Sequence, residues 1–257
     1  MTSGYIDQTT QAVKHSHRWY SNELQQQTQM VRWGSFGVPL LLFPTAGGDA
    51  EEVERFLLIR LLEPFIHERR LKVYSIDSIN GRTWATPGSP AHRVWTQQQF
   101  DRHIINEVVP LIRHDCHSDE IEVMTAGASL GAFNALITIC RHPQVFSRAI
   151  CMSGSYDMRR FMDGQWFDEL HHYLPTLFVQ GLPEDWIDRL RRRFILLVTG
   201  QGANEAPGET WRVAHALGDQ KIPNRVDLWG PEWRHDWDTW REMLPKYVQE
   251  MLLSVEQ

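Results

Sequence analysis

The chain has only three cysteines, Cys116, Cys140 and Cys151, and none of them forms a C-x-x-C pair. That excludes a disulfide framework and a cysteine-rich zinc site as the basis of the fold. Cys140 and Cys151 fall in apolar segments and read as buried free thiols, which suits a reducing cytoplasm. No apolar run is long enough to span a bilayer, so no membrane partner is expected. Residues 1–10 carry neither a basic n-region nor an apolar h-region, and no secretory signal is expected there. Excess basic charge is also missing. Lys and Arg number 26 against 32 Asp and Glu, for a net charge of −6. Binding a phosphate backbone needs clustered cations, so nucleic acid is not an expected partner. The single basic run, Arg189 with Arg191, Arg192 and Arg193, fits the solvated end of a helix. There is no internal repeat, low-complexity tract or Gly/Ser linker. The chain reads as one domain over residues 1–257.

What is present is a regular alternation of strand-like and helix-like segments. Residues 25–33 alternate polar and apolar side chains, as an exposed or edge strand would. An exposed edge leaves room for a homo-oligomer; the polar run Gln25-Gln26-Gln27 equally suits a solvated one. Residues 39–43 and 71–76 are short apolar runs, the mark of strands buried on both faces. Further strands are expected at 121–126, 149–152, 194–198 and 226–229. Helices are expected at about 50–69, 98–114, 132–141, 184–193, 209–217 and 237–253. This order implies an α/β class: a mostly parallel central sheet with helices on both faces, a three-layer sandwich. In such sheets the ligand site lies beyond the carboxyl ends of the strands. The least regular stretch, about 158–183, is either an insertion that covers the substrate or an ordinary surface excursion.

Gly127-Ala128-Ser129-Leu130-Gly131 spells G-x-S-x-G between the expected strand at 121–126 and the helix at 132–141. A serine on a sharp strand-to-helix turn is held with its hydroxyl exposed, a nucleophile elbow. The Leu130 N–H, at the helix N-terminus, is then an oxyanion donor. A second donor is expected from the loop after an early strand. Here that loop is Phe43-Pro44-Thr45-Ala46-Gly47-Gly48-Asp49, with the N–H of Ala46 or Thr45 as the candidates.

A serine needs a base, and the base needs an orienting acid. In this architecture their order is serine, acid, histidine. Glu205 is the first carboxylate in the loop after the strand at 194–198, with Asp157 and Glu209 as rivals. His235 is the only histidine in the loop after the strand at 226–229. The side chain of Asp236, next to that base in sequence, is expected to point elsewhere. His114, Cys116 and His117 sit at a helix end without a fourth ligand, and no metal is expected there. Gly47, Trp84, Ala128 and Trp233 are candidates for the substrate pocket.

Together these motifs resemble the serine esterase branch of the α/β-hydrolase superfamily. They are similar in particular to the group containing esterase D-type enzymes, enterochelin esterases and mycolyl transferases. The likeness is carried, over about residues 24–252, by Phe43 to Gly48, by the elbow, by the loop Gly200 to Glu205, and by His235-Asp236-Trp237 with Trp240. The loop resembles the acid-bearing loop of the mycolyl transferases, which favours Glu205 over Asp157. The resemblance implies the α/β-hydrolase fold and carboxylester hydrolysis of a small-molecule ester without a cofactor. The alternatives are acyl transfer by the same triad and a non-catalytic binding protein on the same fold.

Overall fold

The computed structural model describes residues 13–254. Residues 1–10, where no signal is expected, lie outside that range. Eight strands form one sheet: β1 (Lys14–Ser21), β2 (Gln26–Trp33), β3 (Val38–Phe43), β4 (Leu71–Ile76), β5 (Val123–Ala128), β6 (Phe146–Met152), β7 (Phe194–Thr199) and β8 (Asn224–Leu228). Their order is β1-β2-β4-β3-β5-β6-β7-β8. The β1–β2 and β2–β4 pairs are antiparallel, and every later pair is parallel.

Side chains alternate between two cores along the strands, with Leu41, Phe43, Ile195 and Leu197 in one and Leu40, Leu42, Leu196 and Val198 in the other. Each core is closed by helices. The first receives Trp84, Phe100, Phe133 and Val213, and the second receives Leu62, Ile66, Trp240 and Tyr247. The expected three-layer α/β sandwich is therefore the observed one. Among the described residues the ten α-helices are α1 (Glu52–Arg55), α2 (Leu58–His67), α3 (Ile79–Ala85), α4 (Pro90–His103), α5 (Val109–Asp115), α6 (Leu130–Arg141), α7 (Pro175–Phe178), α8 (Glu184–Leu190), α9 (Pro207–Asp219) and α10 (Trp237–Leu253). No helix among them is long and apolar enough to cross a membrane.

Three expectations change. Residues 25–33 are not an edge, because β1 pairs along the whole of β2. The sequence Lys14-His15-Ser16-His17 hides that strand; its polar side chains are exposed, as an outermost strand allows. The helix expected at 50–69 is two helices, broken where Leu57 adopts φ +67°. The break lets Phe56 leave the helix face and stack on Trp237, 4.1 Å between centroids. The helix expected at 98–114 starts at Pro90 and passes through a π turn at Ile104–Val108. Pro110 follows that turn. It has no N–H to offer a carbonyl one turn back, which accounts for the widening.

The edge strand is tied to α4 and the π turn by Glu107. Its carboxylate accepts from Trp19 Nε1 at 2.9 Å and from the backbone N–H groups of Asn22 and Glu23, and it contacts His103 Nδ1 at 2.9 Å. Burial would raise the Glu107 carboxyl, but these donors outweigh it and lower it to about 2. A depressed carboxyl stabilises the fold above its unfolded value, roughly 4.3, and the benefit is lost as pH falls toward the folded value. Urea midpoints should therefore fall more steeply between about pH 4.5 and 2 in wild type than in Glu107→Gln. Equal slopes would refute that role.

The segment 158–183 is a chain of short helical turns lying on the first core. Met158, Met162, Leu170, Tyr173, Leu174 and Phe178 are buried there, and Trp166 is exposed.

Candidate active site

Strand β5 ends at Ala128 and α6 begins at Leu130, so the turn between them is the single residue Ser129, at φ +57°, ψ −120°. A non-glycine residue at positive φ stores strain, and the surroundings must hold it there. The glycines on either side supply the room. A Cβ on Gly127 would lie 2.3 Å from the backbone of Gly131, and one on Gly131 would lie 2.5 Å from the Phe43 carbonyl oxygen. The elbow thus rests directly on the end of β3.

His235 arrives from the loop after β8. Its backbone N–H donates to Ala203 O at 3.1 Å, which ties that loop to the acid loop after β7. The Nε2 of His235 lies 3.0 Å from Ser129 Oγ. The ring packs edge-on to Trp240, 5.1 Å between centroids, and Trp240 packs on Trp237 in the same way at 5.0 Å. With Phe56 stacked on Trp237, a row of aromatic rings braces the imidazole. The Asp236 side chain turns away and caps α10, accepting from Thr239 N at 3.1 Å.

The Glu205 side chain is 1% exposed and reaches to 3.9 Å from His235 Nδ1, an ion-pair distance longer than a hydrogen bond. Its carboxylate accepts from Ser153 Oγ at 2.5 Å and from Thr199 Oγ1 at 2.9 Å. Ser153 Oγ in turn accepts from Trp240 Nε1 at 3.0 Å. Burial would raise the Glu205 carboxyl, but the pairing with His235 and the bonds from Ser153 and Thr199 outweigh it, so it stays below its ordinary value. The rivals are committed elsewhere. Asp157 is forked onto Arg159, and Glu209 accepts from the N–H groups of Tyr156 and Asp157. Gly200 and Gly202 let this loop close on the Trp233 carbonyl, which accepts from Gly202 N at 2.8 Å.

Of the two N–H groups offered as the second oxyanion donor, Thr45 is excluded. Its N–H donates to Glu52 Oε2 at 2.7 Å and its hydroxyl to Glu52 Oε1 at 2.8 Å. No hydrogen bond among the described residues engages the N–H of Ala46. The pocket candidates also divide. Trp84 is 1% exposed and donates to Gln97 Oε1, so it belongs to the first core. Ala128 is buried in the second. The Trp233 ring, half-buried, packs edge-on to Trp229 at 4.6 Å. Gly47 is exposed in the β3 loop with open space around it.

Sequence patterns had not pointed to Ser153, Thr199 or Glu52 as parts of the site, and Trp240 had entered only as part of the motif around His235. Ser153 and Thr199 do stand at the carboxyl ends of β6 and β7, and that position is the one signal available for them. Among the described residues, no three His, Cys, Asp or Glu side chains are grouped to hold a metal.

The site joins a strained serine, an imidazole and a buried carboxylate at one end of a parallel sheet, an arrangement suited to acyl chemistry. The chain belongs to the family described as "Putative esterase", whose profile matches residues 77–251, more than half its length. It is an esterase by that membership. No curated protein matches the sequence significantly. Solved structures share its fold. An S-formylglutathione hydrolase from Agrobacterium tumefaciens matches with TM-score 0.72 at 13% identity, covering 96% of both chains. A ferulic acid esterase matches with TM-score 0.71 at 14% identity, over 92% of this chain and 96% of that one. The enterobactin esterase of Shigella flexneri matches with TM-score 0.65 at 18% identity, over 95% of this chain and 60% of that one.

Proposed function

We propose that the protein hydrolyses a small-molecule carboxylic ester through Ser129, His235 and Glu205. The observation that carries this reading is the 3.0 Å contact between Ser129 Oγ and His235 Nε2 on a serine held at φ +57°. His235 takes the Ser129 proton as the oxygen attacks the ester carbonyl. The tetrahedral oxyanion is held by the N–H groups of Leu130 and Ala46. Glu205, ionised in its buried seat, stabilises the imidazolium and fixes its tautomer. The imidazolium then protonates the leaving alcohol. A water, deprotonated by His235, releases the acid and restores the serine. The His235 side chain is 22% exposed, so water can approach the acyl-enzyme.

A fluorophosphonate followed by intact-protein mass spectrometry tests the assignment. Wild type should gain one adduct and Ser129→Ala none. A p-nitrophenyl ester series of rising chain length then sizes the acyl pocket. A folded wild type that gains no adduct, or a mutant that gains one, would sink the reading.

A further inference from the structure

Glu52 is a buried carboxylate in the short helix after β3, 6% exposed. No Lys or Arg among the described residues forms an ion pair with it; its neighbour Arg55 pairs with Asp49 instead. A buried charge without a cation is costly unless its lone pairs are filled. Glu52 fills them from one residue only, the N–H and hydroxyl of Thr45, at 2.7 and 2.8 Å. The loop is shaped around this clamp. A Cβ on Gly48 would lie 2.5 Å from the Glu52 carboxyl carbon and 2.5 Å from Pro44 Cβ, so only glycine lets the loop close over it. Two further bonds fix the loop from outside: Ser78 N donates to Gly48 O at 3.1 Å, and Ala50 N donates to Asp77 Oδ1 at 3.0 Å.

The residue after Thr45 is Ala46. The bonds to Glu52 fix the N–H and Cβ of Thr45, and Gly48 N, donating to Thr45 O at 3.3 Å, holds the carbonyl of the next peptide, the one that carries the free N–H of Ala46. The Gly131 contact with Phe43 and Pro44 places the start of α6 against the same loop. We infer that Glu52 is a positioning residue that holds the Thr45–Ala46 peptide so that the Ala46 N–H faces an oxyanion formed at Ser129. The inference rests on the triad reading above. A buried carboxyl is otherwise a poor choice for stabilising a loop, because an apolar side chain there would carry no desolvation cost.

The test is ester kinetics on Glu52→Ala, Glu52→Gln and Thr45→Val, beside Ser129→Ala. Loss of an oxyanion donor costs about 10²–10³ in kcat, and a displaced donor costs less. Glu52→Ala should therefore lower kcat about 10- to 100-fold with KM within about threefold. Glu52→Gln keeps an oxygen for the Thr45 N–H and should recover to within about fivefold of wild type. Thr45→Val keeps the backbone bond alone and should fall between the two. Inhibition by a trifluoromethyl ketone, which forms an oxyanion on the enzyme, should weaken in proportion to kcat/KM. A purely structural role would not link those two quantities or be rescued by Gln. If Ser129→Ala is inactive while Glu52→Ala turns over like wild type, the inference alone falls. It falls too if Gln behaves like Ala. If Ser129→Ala still hydrolyses the ester, the triad reading falls and takes the inference with it. Should Glu52→Ala fail to fold, the Gln and Val variants decide by the same criteria.

Discussion

Replacing His235 by alanine is expected to lower kcat for a p-nitrophenyl ester by about six orders of magnitude, the loss when a triad base is removed. The imidazole is the only titratable group in contact with Ser129 Oγ among the described residues, at 3.0 Å. Without it the hydroxyl proton has no acceptor. The double variant Ser129→Ala, His235→Ala should be no slower than either single one, because the two groups act as a unit. Glu205→Gln should cost less, about 10⁴-fold against about 10⁶-fold for the base, because the acid acts only through the imidazole. Its carboxylate is held by Ser153 and Thr199 as well as by His235, so the site keeps its shape when the charge is removed. Measured kcat for the four variants checks the scheme. Additive losses in the double variant, or a Glu205→Gln loss exceeding that of His235→Ala, would contradict it.

The difference between what was legible in the chain and what was not follows from range. The elbow could be read because its constraints are local: a strand, one residue, a helix, and glycines two positions to either side. The convergence of Glu205 and His235 on Ser129 was legible because each loop after β7 and β8 offers an early candidate of the right type, and parallel strands bring their carboxyl ends together. The oxyanion loop was only half legible. Composition cannot separate Thr45 from Ala46; the carboxylate that occupies the Thr45 N–H can, and Glu52 in the first turn of a helix looks like an ordinary exposed acid. That Trp84 and Ala128 are buried in the two cores was not legible, because burial depends on which face of the sheet a side chain meets, and neither has a distinctive pattern around it. The break at Leu57 had no signal at all, since leucine rarely takes positive φ; it goes with the stacking of Phe56 on Trp237, a contact distant in sequence. Strand β1 failed to register because its outward side chains, two of them histidine, leave no apolar alternation.

Gly131→Ala should damage both the fold and the reaction, out of proportion to one methyl group. The added Cβ would meet the carbonyl oxygens of Phe43 and Pro44 at 2.5 and 2.6 Å. Both are main-chain atoms, so no side-chain rotation relieves the contact; α6 must lift away from the end of β3. Overpacking of this kind costs about 1–3 kcal/mol, which for a chain of 257 residues corresponds to a Tm lower by several degrees. The kinetic effect should be larger. The helix carries Leu130 at its first position, and the loop it presses on carries Ala46. A shift of about 1 Å between the two donors is enough to cost about 10²-fold in rate. Alanine at Gly47, two positions beyond the Thr45 clamp, provides the contrast: no atom lies within 4 Å of the Cβ it would add, and stability should stay within about 0.5 kcal/mol of wild type. Thermal melts and kcat/KM of the two variants decide. A Gly131→Ala protein with wild-type turnover would mean that the contact between elbow and β3 loop does not set the oxyanion geometry, and that Leu130 and Ala46 are not partners in the site.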